Sequence, residues 1–333
     1  MEKLQDSFPL FLHLRIKTDF GAPEMPETLH QPTNVFRNAT SLIQEELGRL
    51  EGVRRAIKAG AKVAGLPTGY QSLDDRFNGL NAEKLYFLGG YPGSGKTSLA
   101  LNISMNVAQY GYPVVYVTSD EGARRLALKM ACVASDVRLS DLNRGGDPTN
   151  LETYISTNPR AINNISIIEN GRVGMGELGV KMSEMLRDAV IPDGFVRQGL
   201  LVIDYLQVMA SAQASGGEDA KYKNSANIVE SFINNLRMTL SETRFACLCL
   251  SALSRGKDGA NYANPDMSSF RDSSSIEFSA DVAMALFEDT KPLSLITSPY
   301  LARKLRIFKN RDGDTGHAIS MILNGPTGKM DDT

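Results

Sequence analysis

The chain has 333 residues, 42% hydrophobic and 22% charged, a globular balance that excludes a disordered chain, a collagen and a coiled-coil rod. Lys and Arg number 36 against 38 Asp and Glu, a formal charge of −2, so any nucleic-acid partner must be gripped by a local basic patch. No apolar run approaches the roughly 18–20 residues that span a bilayer. The apolar stretch Phe8–Leu12 is too short to span and lacks a small-residue cleavage site, so neither a membrane partner nor a signal peptide is expected. Cys132, Cys247 and Cys249 are odd in number, and two lie in an apolar run, which suits buried free thiols in a reducing, cytoplasmic compartment. His13, His30 and His317 lie far apart and give no metal-ligand cluster.

Four prolines and little periodicity mark residues 1–33 as an irregular arm. Ile43, Leu47, Leu50, Val53 and Ile57 then recur at helical spacing and predict a helix over 38–58, with Ser41 and Gln44 as its capping box. Such a lone helix cannot bury its own stripe, so it must dock on the main domain or on another subunit. The expected organisation is an arm and linker helix over 1–62 and one domain over 63–333. Within that domain, strands are predicted at 84–88, 114–118, 165–168, 200–203 and 245–250. Helices at 96–109, 123–135, 176–189 and 226–242 alternate with them. This order predicts a mostly parallel sheet flanked by helices. Runs at 282–287, 304–308 and 318–323 follow without intervening helices and predict antiparallel C-terminal strands. Polar stretches at 211–224 and 256–269 read as loops.

The sharpest motif is Gly90-Tyr-Pro-Gly-Ser-Gly-Lys-Thr97, which fits G-x-x-x-x-G-K-[ST] and stands between a predicted strand and helix. Gly90, Gly93 and Gly95 let backbone N–H groups turn inward around a phosphate, with Ser94 in the loop and Ser98 in the first helical turn. Lys96 neutralises β- and γ-phosphates, and Thr97 offers its hydroxyl to Mg²⁺, so ATP and Mg²⁺ are the expected cofactors. Leu200–Asp204 is an apolar strand ending in a carboxylate, where a parallel sheet presents an acid to the phosphate end. Asp120 and Glu121, after the second strand, compete for the role of a base acting on the attacking water. Both also suit a helix N-terminus, where the dipole favours acids. Lys309 and Arg311 lie two apart on a predicted strand and so share a face. They read either as a phosphate-directed pair or as charges guarding a sheet edge. Lys221, Lys223, Arg255 and Arg271 sit in or beside the two polar loops, where a few cations repeated around a ring can track a phosphate backbone.

With these residues in view, the chain resembles the RecA-like ATPase domain of DnaB-type replicative helicases over about residues 38–328. Leu66–Asp74 looks like the segment leading into that domain, and Ser119–Glu121 resembles its catalytic-glutamate motif, which implies Glu121 rather than Asp120. Ile203–Gln207 matches its magnesium-site strand, and Leu250–Arg255 resembles the strand end that senses the γ-phosphate. Ser269–Glu277, followed by Ala280-Asp281, is similar to a DNA-contacting loop and the strand after it. Phe308–Arg311, followed by Gly313 and Gly316, looks like the segment that gives a lysine and an arginine finger to a neighbouring subunit. The resemblance implies an α/β RecA-like P-loop ATPase that forms a homo-oligomeric ring, expected as a hexamer, around single-stranded DNA, with a primase or loader as further partner. Its alternative is a RecA-like DNA-binding ATPase without processive unwinding, acting as a regulator.

Two departures bear on this. Ala252 stands where the family usually has glutamine or, in phage relatives, histidine, a polar group that links the γ-phosphate to the DNA loops. Alanine makes no such hydrogen bond, so the coupling of hydrolysis to DNA movement is the step in question. About 60 residues precede Leu66, too few for the family's helical N-terminal domain plus a linker, so a reduced helicase or a reassigned relative is expected.

Overall fold

The computed structural model describes residues 38–169, 173–191, 195–214, 225–254, 264–271, 273–289, 298–316 and 318–333. The arm over 1–33, the cations Lys221, Lys223 and Arg255, and most of the two polar loops lie outside the described residues. The chain divides into two compact units, Met1–Leu47 and Gly48–Thr333. Helix α1 (Ala39–Lys58) carries the expected stripe, and Leu42, Ile43, Leu47, Leu50 and Ile57 on it are exposed. Its start agrees with the expected bounds but its cap differs from the expected Ser41 box: Asn38 Oδ1 accepts the Thr40 N–H at 2.8 Å, so the cap lies three residues before Ser41. An Asn side chain outside the first turn satisfies an orphan donor that Ser41, already inside the helix, does not reach.

The second unit is built on one nine-stranded sheet. Its strands are β1 (Leu85–Gly90), β2 (Val114–Thr118), β3 (Ile165–Glu169), β4 (Gly199–Asp204), β5 (Phe245–Ala252), β6 (Val282–Glu288), β7 (Tyr300–Asn310), β8 (Ala318–Asn324) and β9 (Met330–Asp332). They lie in the order β3-β2-β4-β5-β1-β6-β7-β8-β9. The first six in that order are parallel neighbours, and β7, β8 and β9 add on antiparallel. The expectation that all three late strands would be antiparallel holds for β7 and β8 but not for β6, which pairs parallel with β1 from Tyr86↔Val282 to Gly90↔Leu286. The chain returns to the sheet's starting end through α11 (Ser273–Ser279) before β6 begins, and such a crossover delivers a parallel strand.

The buried strands alternate between two cores, as period 2 requires. Tyr86, Leu88, Val114, Tyr116, Leu200, Val202, Leu248 and Leu250 pack with α3 (Lys96–Gln109) and α4 (Ala123–Ser135). Leu85, Phe87, Val115, Val117, Leu201, Ile203, Cys247 and Cys249 pack with α8 (Met175–Asp188), α9 (Leu206–Ala214) and α10 (Ser225–Thr243). All three cysteines are free and buried. Elements not expected from the sequence are α2 (Gln71–Phe77), α9, α11, β9 and three short helices between α4 and β3: α5 (Leu139–Leu142), α6 (Thr149–Thr157) and α7 (Pro159–Asn163). No helix among the described residues is long and apolar enough to cross a membrane. The topology sends the C-terminal ends of β1, β2, β4 and β5 to one edge of the sheet, and the motif residues gather there.

Candidate active site

Gly90–Thr97 runs from the last residue of β1 into the first turn of α3. Gly93 (φ 78°) and Gly95 (φ 100°) adopt the left-handed backbone that glycine takes at no cost, and this turns the loop over the start of α3. The N-terminus of that helix presents unpaired N–H groups and the positive end of its dipole. Lys96 Nζ donates to the carbonyls of Gly90 (2.8 Å) and Tyr91 (3.2 Å), so the ammonium crosses the base of the loop. Burial pushes the Lys96 pKa down, and the Asp204 charge opposes that. Beneath the loop, Arg303 of β7 is buried and its Nε donates to Ser94 O at 3.0 Å. Ser98 lies in the first turn of α3, where its carbonyl accepts from Asn102.

Asp204, at the end of β4, is 8% exposed. Its Oδ2 accepts from Thr97 Oγ1 at 3.1 Å and from the Tyr116 hydroxyl at 2.8 Å. Burial raises its pKa above the ordinary carboxylate value, against which the Tyr116 and Thr97 hydrogen bonds and the Lys96 charge act; the Asp120 charge adds to the rise. A hydroxyl and a carboxylate side by side are hard oxygen donors of the kind Mg²⁺ takes. Ser94 Oγ and Ser119 Oγ are buried without a hydrogen-bond partner among the described residues. Orphaned hydroxyls beside a glycine cradle and a lysine fit a polyanionic ligand with a divalent cation.

Glu121 follows β2, with its N–H donating to Thr118 Oγ1 at 3.3 Å. Its carboxylate is engaged by Arg125 Nε (2.7 Å) and Lys129 Nζ (2.7 Å), one and two turns along α4. Asp120 is exposed. The Asp120 charge acts on Asp204 and the Glu121 charge on Tyr116, so both acids belong to the same electrostatic neighbourhood.

At the same edge, the end of β5 is tied to a later segment. Leu253 bridges Phe270, Arg271 N donates to Ala252 O (3.1 Å), and both Ser254 N and Ser254 Oγ donate to Ser269 O (2.7 and 3.0 Å). Arg271 is exposed there. Ala252 pairs with Gly90 across β1 and β5. From α9, Gln207 Nε2 donates to Ser251 Oγ (3.0 Å) and to Arg271 O (3.4 Å).

Lys309 and Arg311 do not join this cluster. Lys309 pairs with Ala283 and Asn310 with Val282, at the start of β6, whereas Gly90 pairs with Leu286. At about 3.3 Å per residue, Arg311 therefore lies about 13–17 Å along the sheet from the phosphate loop of its own chain. Arg311 falls one residue beyond β7 rather than on it, yet shares the Lys309 side: Lys309 Nζ donates to Glu277 O (2.5 Å) and Arg311 to Phe278 O (2.9 Å). Arg311 also pairs with Asp281 at 3.3 Å. Burial and the Arg311 charge push the Lys309 pKa down.

Sequence reasoning missed Tyr116 and Arg303, and named Gln207 only as the end of the Ile203–Gln207 match, without its contacts to Ser251 and Arg271. A tyrosine amid aliphatics in β2 was a signal for the first, but its meaning lies in the register that sets Thr118 beside Asp204. Nothing local marks Arg303, which reaches Ser94 from 209 residues away.

A phosphate loop on a mostly parallel sheet, facing a buried aspartate at the end of β4, the next strand but one, defines the class of P-loop nucleotide-binding proteins. The family described as DnaB-like helicase C terminal domain matches residues 65–330, and the chain belongs to it. Among curated relatives, the chain is 24% identical over 317 residues to the replicative DNA helicase DnaB of Geobacillus stearothermophilus, covering 90% of this chain and 60% of that protein. It is 27% identical over 280 residues to a probable plasmid replicative DNA helicase of Chlamydia psittaci, covering 80% and 56%. The chain thus spans a little over half the length of such relatives. Among solved structures, an ATPase domain superposes with a TM-score of 0.70 at 21% identity, covering 87% of this chain and 98% of that one. A DnaB-like replicative helicase studied with primase gives 0.68 at 20%, covering 88% and 70%. The fold is therefore RecA-like, with antiparallel strands at its C-terminal edge.

Proposed function

We propose that the protein is an ATP-dependent DNA helicase of the DnaB type, which hydrolyses ATP at the subunit interfaces of a hexameric ring around single-stranded DNA. The arm and linker helix over 1–62 serve assembly, and residues 63–333 form the motor. In this reading Gly90, Gly93, Ser94, Gly95 and Ser98 belong to the cradle of the triphosphate, with Lys96 on its β- and γ-phosphates. Thr97 and Asp204 hold Mg²⁺, which when bound neutralises phosphate charge and fixes phosphate geometry. Glu121 takes the proton of the attacking water once it leaves its pairs with Arg125 and Lys129. Arg311 and Lys309 of the neighbouring subunit meet the charge that develops on the γ-phosphate.

The observation that carries this reading is the register that puts Arg311 at the far end of β6 from its own phosphate loop. An arginine so placed serves a neighbour's nucleotide in a head-to-tail assembly. Arg271 lies in the segment tied to β5, and with Lys221, Lys223 and Arg255 it tracks the DNA backbone in a sequence-independent, salt-sensitive way. A primase or loader completes the partners at a replication fork in the cytoplasm. The alternative is a regulator that hydrolyses ATP on DNA without unwinding it. Ala252, a methyl beside Gly90 where a polar sensor is expected, favours it. One experiment separates the two: ATP turnover with and without single-stranded DNA, then strand displacement on a forked duplex. Stimulated turnover with displacement supports the helicase, and stimulated turnover without displacement supports the regulator. No turnover above a Lys96→Ala control removes both.

A further inference from the structure

Resting on the ATPase reading above, we propose that Gln207 is the positioning residue that links the nucleotide end of the sheet to the Arg271 segment, in the task that residue 252 cannot perform. Ala252 offers only a methyl and a carbonyl, and the carbonyl is already taken by Arg271 N. Gln207 stands three residues after Asp204, in the first turn of α9. Its amide nitrogen donates in two directions. One bond goes to Ser251 Oγ, fully buried on β5 and paired with Gly89, one residue before the phosphate loop. The other goes to the carbonyl of Arg271. The Leu253–Phe270 bridge and the Ser254–Ser269 bonds close the base of the loop between these segments. A single side chain therefore touches the β5 end beside the phosphate loop and the segment that carries an exposed cation, from a helix that begins at the Asp204 strand.

The amide also holds a spare capacity. Gln207 Oε1 is buried with no hydrogen-bond partner among the described residues. A half-turn of the amide exchanges donor and acceptor, yet leaves one buried atom unpaired in either setting. An orphaned buried polar atom is costly in a purely structural contact. It suits a contact that exchanges partners when Asp204 and α9 shift with the nucleotide state. In this proposal the arrangement seen here, with both bonds made by Nε2, and a second one that pairs Oε1 form the discrete element that coupling between two sites requires.

The test uses Gln207→Leu, which removes the hydrogen bonds with little loss of side-chain volume, alone and combined with Ala252→Gln. ATP turnover is measured with and without oligo-dT, and binding of a fluorescent ADP analogue reports an intact site. In Gln207→Leu, basal turnover and ADP binding stay within about twofold of the unaltered chain, while the stimulation ratio falls about fivefold or more. The double variant, with an amide restored at the β5 end, regains most of that ratio. An unchanged ratio overturns the proposal, as does a ratio that Ala252→Gln fails to restore. Loss of ADP binding, or of basal turnover in step with stimulated turnover, overturns it in favour of a structural role. Absence of stimulation in the unaltered chain removes the nucleic-acid reading, and this inference with it.

Discussion

Asp204 shows how a single carboxylate is set for its task by what surrounds it. Burial raises its pKa, and the Tyr116 hydroxyl at 2.8 Å is one of the groups holding that rise in check. The sign follows from which form each effect favours. A carboxyl raised in the folded state contributes stability that is fully present below its unfolded value, about 3.9, and lost as pH rises through the folded value. With Asp204 as a proposed Mg²⁺ ligand, the metal needs the ionised form, so turnover is expected to have its acid limb where Asp204 takes up a proton. Tyr116→Phe removes a bond to the ionised form and lifts the pKa further. The acid limb of kcat/KM then moves to higher pH and the Mg²⁺ requirement rises, both readable from turnover profiles at several Mg²⁺ concentrations. Glu121 is a different case, because its carboxylate is held at 2.7 Å by both Arg125 and Lys129 on α4, the helix that follows it. With Glu121 as the base, Glu121→Gln lowers kcat by about 10²–10⁴-fold. Affinity for a fluorescent nucleotide analogue stays near that of the unaltered chain, because the cradle lies on β1 and α3. A comparable fall in nucleotide affinity assigns Glu121 to binding instead.

Among elements, the junction of β1 and α3 is the most constrained. A Cβ added at Gly90 meets Ser94 Oγ at 2.5 Å, Lys96 Cγ at 2.7 Å and the Leu286 carbonyl at 2.8 Å. Lys96 can swing away, but the Leu286 carbonyl belongs to the β6 ladder beside β1 and cannot. Gly90→Ala therefore destabilises the fold by about 1–3 kcal/mol through overpacking, measured by urea denaturation, and weakens nucleotide binding in the same variant. An unchanged midpoint means that β1 and β6 separate more easily than this packing allows. That junction was plain in the sequence because loop, strand and helix are contiguous there. The β-α alternation was also legible, since an apolar run of strand length and a helical stripe are local patterns. Helices α5 to α7 were not, because four to nine residues span too few turns to show a stripe. The direction of β6 depends on where its crossover returns. The Tyr116–Asp204 bond depends on the register of strands whose partners stand 88 residues apart. Neither leaves a mark in its own segment.

At the scale of the whole molecule, the question is whether one chain holds a complete site. The cradle, Thr97, Asp204 and Glu121 gather at one edge of the sheet, while Arg311 lies about 13–17 Å away along it, bound to Asp281 and the Phe278 carbonyl. Leu42, Ile43, Leu47 and Leu50 expose an apolar stripe on α1 that a neighbouring chain can cover. Both features suit a head-to-tail assembly, and mixing tests it with two inactive chains. Lys96→Ala removes the phosphate-loop charge but keeps the arginine, and Arg311→Ala keeps the loop but loses the arginine. Each alone is expected to turn over ATP at least about 100-fold more slowly than the unaltered chain. In an equimolar mixed assembly, an interface works only where an Arg311→Ala chain supplies the loop and a Lys96→Ala neighbour supplies the arginine. Random assortment makes that about one interface in four, so independent interfaces recover about a quarter of the unaltered turnover in the head-to-tail arrangement. Interfaces that fire in sequence recover less, but still far more than either variant alone. If Arg311 serves its own chain, every mixed site lacks one group and mixing recovers nothing. Recovery that appears on mixing and disappears on dilution below the assembly concentration places the arginine in a neighbour's site, and its absence at high concentration places it elsewhere.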